Sequence, residues 1–154
     1  MTQLARAYNA ALPGGGKMLA SGIDAQAVHK VKRLFGAARN VEGIGSLTLI
    51  ASVRSHTGAR MDEHLLQELR SAANAEIHLC KEAANQRIFP ALNLLESSTS
   101  KSDKLLSDQH QECLTAARSQ LKPDPVDSLQ AMLKFLSGAK STDDFLDNVA
   151  QSGD

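Results

Sequence analysis

The sequence has only two cysteines, Cys80 and Cys113, too few for a disulfide framework or a four-cysteine zinc site. It has no run near the roughly 18 apolar residues that a membrane helix needs, and no signal-peptide stretch at its start. Membrane and secreted classes are therefore not expected. The five histidines, at 29, 56, 64, 78 and 110, show no HExxH and no paired metal-ligand spacing. His78 lies in an apolar stretch, where a satisfied core histidine is the expected role. No nucleophile elbow is present, and neither cysteine has a nucleophile's context. The residues alone thus name no catalytic group and no metal site. Net charge is also missing, with 17 Lys/Arg against 17 Asp/Glu, but the balance is uneven along the chain. Residues 1–95 carry 11 basic and 7 acidic side chains, and residues 96–154 carry 6 and 10. The basic half is where an anionic partner is expected.

What is present suits a soluble globular chain: 154 residues, 42% of them apolar, enough for a sizeable core. Residues 2–11 read as a helix, broken by Leu12-Pro13-Gly14-Gly15-Gly16. Asp24 is a good N-cap for a helix to about residue 40, with Val28, Val31, Phe35 and Ala38 on one face. Ser46-Leu47-Thr48-Leu49-Ile50-Ala51-Ser52-Val53 reads as a parallel-sheet strand buried on both faces. A helix over 62–71 buries Leu65, Leu66 and Leu69. A second strand is expected at 76–80, and a third, at the edge, over Arg87-Ile88-Phe89-Pro90. Residues 97–103 read as a linker. Three helices are expected after it: one carrying Leu106, Cys113, Leu114, Ala117 and Leu121, one from Val126 to Gly138, and one opened by Thr142. The fold expected is α/β over 1–96, followed by a helical subdomain over 104–154.

Gly14-Gly15-Gly16-Lys17 invites a phosphate-loop reading, which the spacing refuses. A Walker A loop needs glycine five residues before its Gly-Lys and a hydroxyl residue after it. Ala11 and Met18 hold those places. A flexible turn, or a loop offering Lys17 to an anion, remains. The basic residues Lys17, Lys30, Arg33, Arg39, Arg54, Arg60 and Arg87 would ordinarily be a solvated surface.

Several collinear motifs change that weighting. Leu4-Ala5-Arg6-Ala7-Tyr8-Asn9, His29-Lys30-Val31-Lys32-Arg33-Leu34-Phe35-Gly36-Ala37-Ala38-Arg39-Asn40-Val41-Glu42 and Gly45-Ser46-Leu47-Thr48-Leu49-Ile50-Ala51 resemble the bacterial transcription termination factor Rho family. Thr57-Gly58-Ala59-Arg60-Met61-Asp62-Glu63 and Arg87-Ile88-Phe89-Pro90-Ala91 continue the likeness in order. It is dense from Leu4 to Ala91 and thin beyond, although Asp143-Asp144-Phe145 is similar to the family's closing helix. The part resembled is the family's C-terminal half.

The resemblance implies a partial RecA-like core from a hexameric RNA translocase that runs on ATP and Mg2+. Such a motor is cytoplasmic, and its partners are RNA, other ring subunits and, indirectly, RNA polymerase. Two pore loops grip RNA in that family. Residues 16–22 take the place of the first, with Lys17, Met18 and Gly22 as RNA-binding positions. Residues 57–60 take the place of the second, with Arg60 where the family has an RNA-gripping lysine. Arg87 takes the place of a basic residue that reaches a neighbour's nucleotide. A second interface arginine is replaced by Ser100, and Ala20-Ser21 stand where the first loop has threonine and glycine. By the same likeness, Met1 falls just past the Walker B strand, so the chain alone is expected not to bind or hydrolyse ATP. The alternative is a non-catalytic remnant or regulator that binds Rho-type subunits.

Overall fold

The computed structural model describes residues 1–13 and 16–151, with no account of the side chains at 147, 148, 150 and 151. Gly14 and Gly15 of the expected glycine turn lie outside the described residues. The chain divides into two compact units, 1–73 and 74–154.

In the first unit, α1 (Thr2–Ala11) is the helix expected there, and α2 (Ala25–Phe35) buries Val28 and Val31 of its expected face. Asp24 caps α2 by accepting the Gln26 N–H at 2.7 Å, which satisfies one of the donors a helix start leaves open. The helix stops five residues earlier than the sequence suggested. Gly36 turns the chain there, its N–H donating to the Lys32 carbonyl, so Ala38 lies beyond the helical face. After a hairpin comes α3 (Arg60–Arg70). Ala5, Ile23, Val28, Val31, Leu65 and Leu69 form the buried core between these helices.

The strand expected over 46–53 does not form. Asn40–Val41 (β1) pairs antiparallel with Gly45–Ser46 (β2), and residues 47–53 run on without regular structure. A doubly buried strand needs neighbours on its edges and layers on both faces. Among the described residues the strands of the 1–73 unit are two residues each. Leu47 is consequently 56% exposed and Ile50 95%. Hydrogen bonds among the described residues tie the segment near its ends, and Val53 packs against the core. Leu47 N–H donates to the Arg39 carbonyl at 2.9 Å, the N-terminal ammonium donates to Ser52 O at 2.7 Å, and Arg54 N–H donates to Thr2 Oγ1 at 3.0 Å.

In the second unit, β3 (Ala75–Leu79) pairs antiparallel with β4 (Leu92–Thr99) across a short α4 (Lys81–Asn85). The register slips between Glu76 and His78, and Ser97 fills the irregularity by accepting the His78 N–H at 3.0 Å. His78 is half-buried and belongs to neither core cluster, so it is not the core histidine expected; its ring nitrogens lie 3.2 Å from Glu76 and 3.2 Å from Glu96. The edge strand expected at 87–90 is absent. Arg87 has φ +60°, outside the extended region, so the chain turns there and pairing starts at Leu92. Ser97, Ser98 and Thr99, placed in a linker by composition, belong to β4. Their hydroxyls suit an exposed strand as well as a loop, and composition could not tell the two apart.

Three terminal helices form: α5 (Asp108–Ser119), which leaves the expected Leu106 and Leu121 outside its ends, α6 (Pro125–Ser137) and α7 (Thr142–Gln151). Ser107 caps α5 and Asp124 caps α6, the latter accepting the N–H groups of Val126 and Asp127 at 2.9 Å each. Val126 and Leu129 of α6 pack with Cys80 and Ala83. The chain thus mixes helices with small sheets. Both sheets are two-stranded and antiparallel among the described residues, so the parallel RecA-like sheet is not formed there.

Candidate nucleic-acid interface

The first candidate loop, residues 16–22, is short and tightly bonded at its base. Met18 bridges to Asp24, Leu19 N–H donates to Ile23 O at 2.9 Å, and Ala25 N–H donates to Lys17 O at 3.0 Å. Gly22 sits at φ +79°, a conformation costly for other residues. Ile23, fully buried, pins the returning strand to the core. Lys17 is exposed and Met18 is 59% exposed. At the base, Asp24 N–H donates to Asn9 Oδ1 of α1 at 2.7 Å. A Cβ at Gly16 would run into the Asp24 carboxylate. Gly16→Ala should therefore displace that carboxylate from its capping position and cost about 1 kcal/mol. A melting temperature equal to the parent's would contradict this packing.

The second loop, residues 57–60, is organised by one buried carboxylate. Asp62 is completely buried and accepts from Arg6 Nη2 at 2.8 and 3.0 Å and from Thr57 Oγ1 at 2.8 Å. Hydrogen bonding from Arg6 is the foremost cause holding the Asp62 carboxyl below its ordinary range. Burial opposes it, and Thr57 with the charges of Arg6 and Arg54 adds to it. Thr57 Oγ1 also accepts from Ala59 N–H at 3.3 Å, and Gly58 at φ +72° completes the turn. Arg60 then opens α3 with its side chain exposed. A cation there opposes the helix dipole, an effect that Asp62 and Glu63 in the same turn offset. Nearby, Lys32 Nζ holds Glu68 at 2.8 Å and lowers its carboxyl too.

One face of α1 thus braces both loops: Arg6 reaches Asp62, and Asn9, three residues on, reaches Asp24. Sequence reading missed these four as site residues. The acid in the first turn after Thr57-Gly58 was the one available hint for Asp62.

No family model matches the chain. Individual proteins do. Transcription termination factor Rho of Haemophilus influenzae is 41% identical over 153 residues, covering 99% of this chain and 36% of that protein. Rho of Escherichia coli K12 is 39% identical over the same length and coverage. Rho of Neisseria gonorrhoeae is 40% identical over 148 residues, 96% of this chain and 35% of that protein. Over nearly its whole length the chain is similar to these Rho proteins. It spans just over a third of the length of the curated Rho relatives it matches, a shorter stretch than the half that motif likeness implied. The alignment also covers the tail beyond Ala91, where likeness by motif had been thin.

Of the positions singled out by likeness to Rho, Lys17, Met18, Gly22 and Arg60 lie in the 1–73 unit and Arg87 lies in the 74–154 unit. Arg87 is exposed on the turn after α4, its N–H donating to Ala84 O at 3.0 Å. The geometry at Gly16-Lys17 is not that of a Walker A loop. That pair leads into the Met18–Asp24 bridge and not into a helix start, so no fan of helical N–H groups faces it. Among the described residues, no cluster of three or more His, Cys, Asp or Glu is arranged to hold a metal ion, and no helix is long and apolar enough to cross a membrane.

Proposed function

We propose that this chain serves as part of a Rho-type transcription termination motor, supplying RNA-gripping loops and a subunit interface. The observation that carries the reading is the Asp62 clamp. It fixes the backbone of residues 57–60 from beneath and leaves Arg60 exposed at the helix start. A cation on a braced turn suits a phosphate contact, because its position is set before the strand arrives. Lys17, beside Met18 and Gly22 in the first loop, offers a second. Two phosphate contacts give weak affinity, roughly 10⁻⁴ M or poorer at physiological salt. Useful grip comes when several copies line one channel and each bound loop raises the effective concentration of the next. ATP and Mg2+ are held by other parts of such a motor. Arg87 is suited to stabilise charge on a neighbour's transferring phosphoryl group.

The exposed Leu47 and Ile50 favour a second reading, in which the chain binds Rho-type subunits without driving them. The two readings separate in rings where residues 12–62 of this chain replace the equivalent segment of a complete Rho. Arg60→Ala should weaken RNA-stimulated ATPase about tenfold while ATP binding is retained. Arg60→Lys should stay within about twofold, since one phosphate contact needs charge more than a bidentate fork. Equal RNA response from Arg60→Ala and its parent would remove the second loop from the grip and favour the non-driving reading.

A further inference from the structure

The outward face of α2 carries basic side chains that the two loops do not use. Ala27, Val28 and Val31 face the core, and His29, Lys30 and Arg33 are exposed on the opposite side. Arg39, also exposed, continues the set just past the helix end, where its Nε donates to Gly36 O at 3.1 Å. Lys30 is held over the Tyr8 ring at 5.3 Å, an arrangement that keeps its charge in place without cancelling it. Only Lys32, on the flank, has an acidic partner in Glu68. Among the described residues no carboxylate pairs with His29, Lys30, Arg33 or Arg39.

The charge of the unit explains why. Residues 1–73 contain nine Lys/Arg and five Asp/Glu. Asp24 and Asp62 are buried in internal hydrogen bonds, and Glu68 is held by Lys32. Little acid is left to neutralise the α2 face. Such a surface calls for an anionic partner. The face offers a protein partner almost no apolar centre, since Leu34 is its one large exposed hydrophobic. A stable protein interface needs a dry core of aromatic or aliphatic anchors. An RNA backbone needs only spaced cations. Lys17, whose carbonyl accepts the N–H of the first α2 residue, stands at one end of the stripe and Arg39 beyond the other. The helix between them is about 16 Å long.

We infer that the α2 face is a second RNA-backbone contact surface, continuous with the first loop, in which Lys30, Arg33 and Arg39 bind phosphates. The inference rests on the RNA reading above, but on residues outside the proposed grip.

The test uses the full chain and a fluorescent 12-nucleotide single-stranded RNA, with affinity measured at 50 and 200 mM salt. The double variant Lys30→Gln/Arg33→Gln should bind about tenfold more weakly at 50 mM. Its affinity should also fall about sevenfold less between the two salts, because two single-strand contacts account for about 1.4 units of salt slope. Parent-like affinity and slope in this variant would overturn the inference. If Arg60→Ala and Lys17→Ala lose affinity in that same series, the loop reading stands by itself. If only the α2 variant loses affinity, the α2 surface stands and the loop reading falls. A double variant that alters sedimentation of the chain while binding RNA like the parent would make the face a protein interface and overturn the inference.

Discussion

Asp62→Ala is expected to destabilise the 1–73 unit by about 3 kcal/mol. The Asp62 side chain is 1% exposed and accepts three hydrogen bonds, two of them from a guanidinium. Breaking a fully buried pair costs about 3–5 kcal/mol. The Arg6 side chain is 41% exposed and regains water when its partner is lost, so the low end of that range applies. Thr57 would lose its acceptor at the same time, and hydrogen exchange at residues 57–60 should accelerate. Asp62→Asn keeps the shape and an acceptor, and about 1–2 kcal/mol is expected. The pH dependence follows from the sign of the shifts. Asp62 and Glu68 are both held below their ordinary values in the fold. Their contribution is complete above about pH 5 and is lost as pH falls below about 4, through the folded-state values. Asp62→Asn should therefore flatten the acid limb of a stability–pH curve. Chemical denaturation that places Asp62→Ala within about 0.5 kcal/mol of the parent would refute the clamp.

The second large effect concerns self-association. Residues 46–53 contain no charge and no proline, and Leu47 and Ile50 are 56% and 95% exposed. Among the described residues Ser46 pairs only with Asn40, and residues 47–53 belong to no ladder. An uncharged, apolar segment with unpaired backbone templates pairing with another copy. The purified chain is expected to self-associate at tens of micromolar in sedimentation velocity, and Ile50→Lys should return it largely to monomer. Because Ile50 is so exposed, that variant should unfold within about 0.5 kcal/mol of the parent. A parent that sediments as a clean monomer would show that the segment does not recruit strands.

The same segment marks where sequence reading reached its limit. Helices were legible because their signals are local. Asp24 before α2 announces a cap within two residues of where it acts. Strands need partners, and 46–53 has the composition of a buried strand without the partners in its unit. Ser97, Ser98 and Thr99 erred the other way: loop-like by composition, they are held as strand by Ala75 and Glu76 across the hairpin. At the candidate site, Lys17 and Arg60 stood out only through motif likeness, since exposed cations have no distinctive spacing. The Arg6–Asp62 pair was invisible because 56 residues separate the two. No periodicity links residues that far apart, and only the packing of α1 against α2, and α2 against α3, brings them together.

The most direct measurement is RNA-stimulated ATPase in a Rho ring whose residues equivalent to 12–62 come from this chain, with no other change. The segment carries both candidate loops and the Asp62 clamp, and lacks only Arg6 and Asn9 of the α1 brace, which the Arg6-Ala7-Tyr8-Asn9 likeness assigns to the host. The ring is expected to assemble, to bind ATP as the host does, and to keep RNA stimulation within about threefold of the host, because charge and loop bracing are retained. A ring that assembles and binds ATP but hydrolyses it at the same rate with and without RNA would contradict the account.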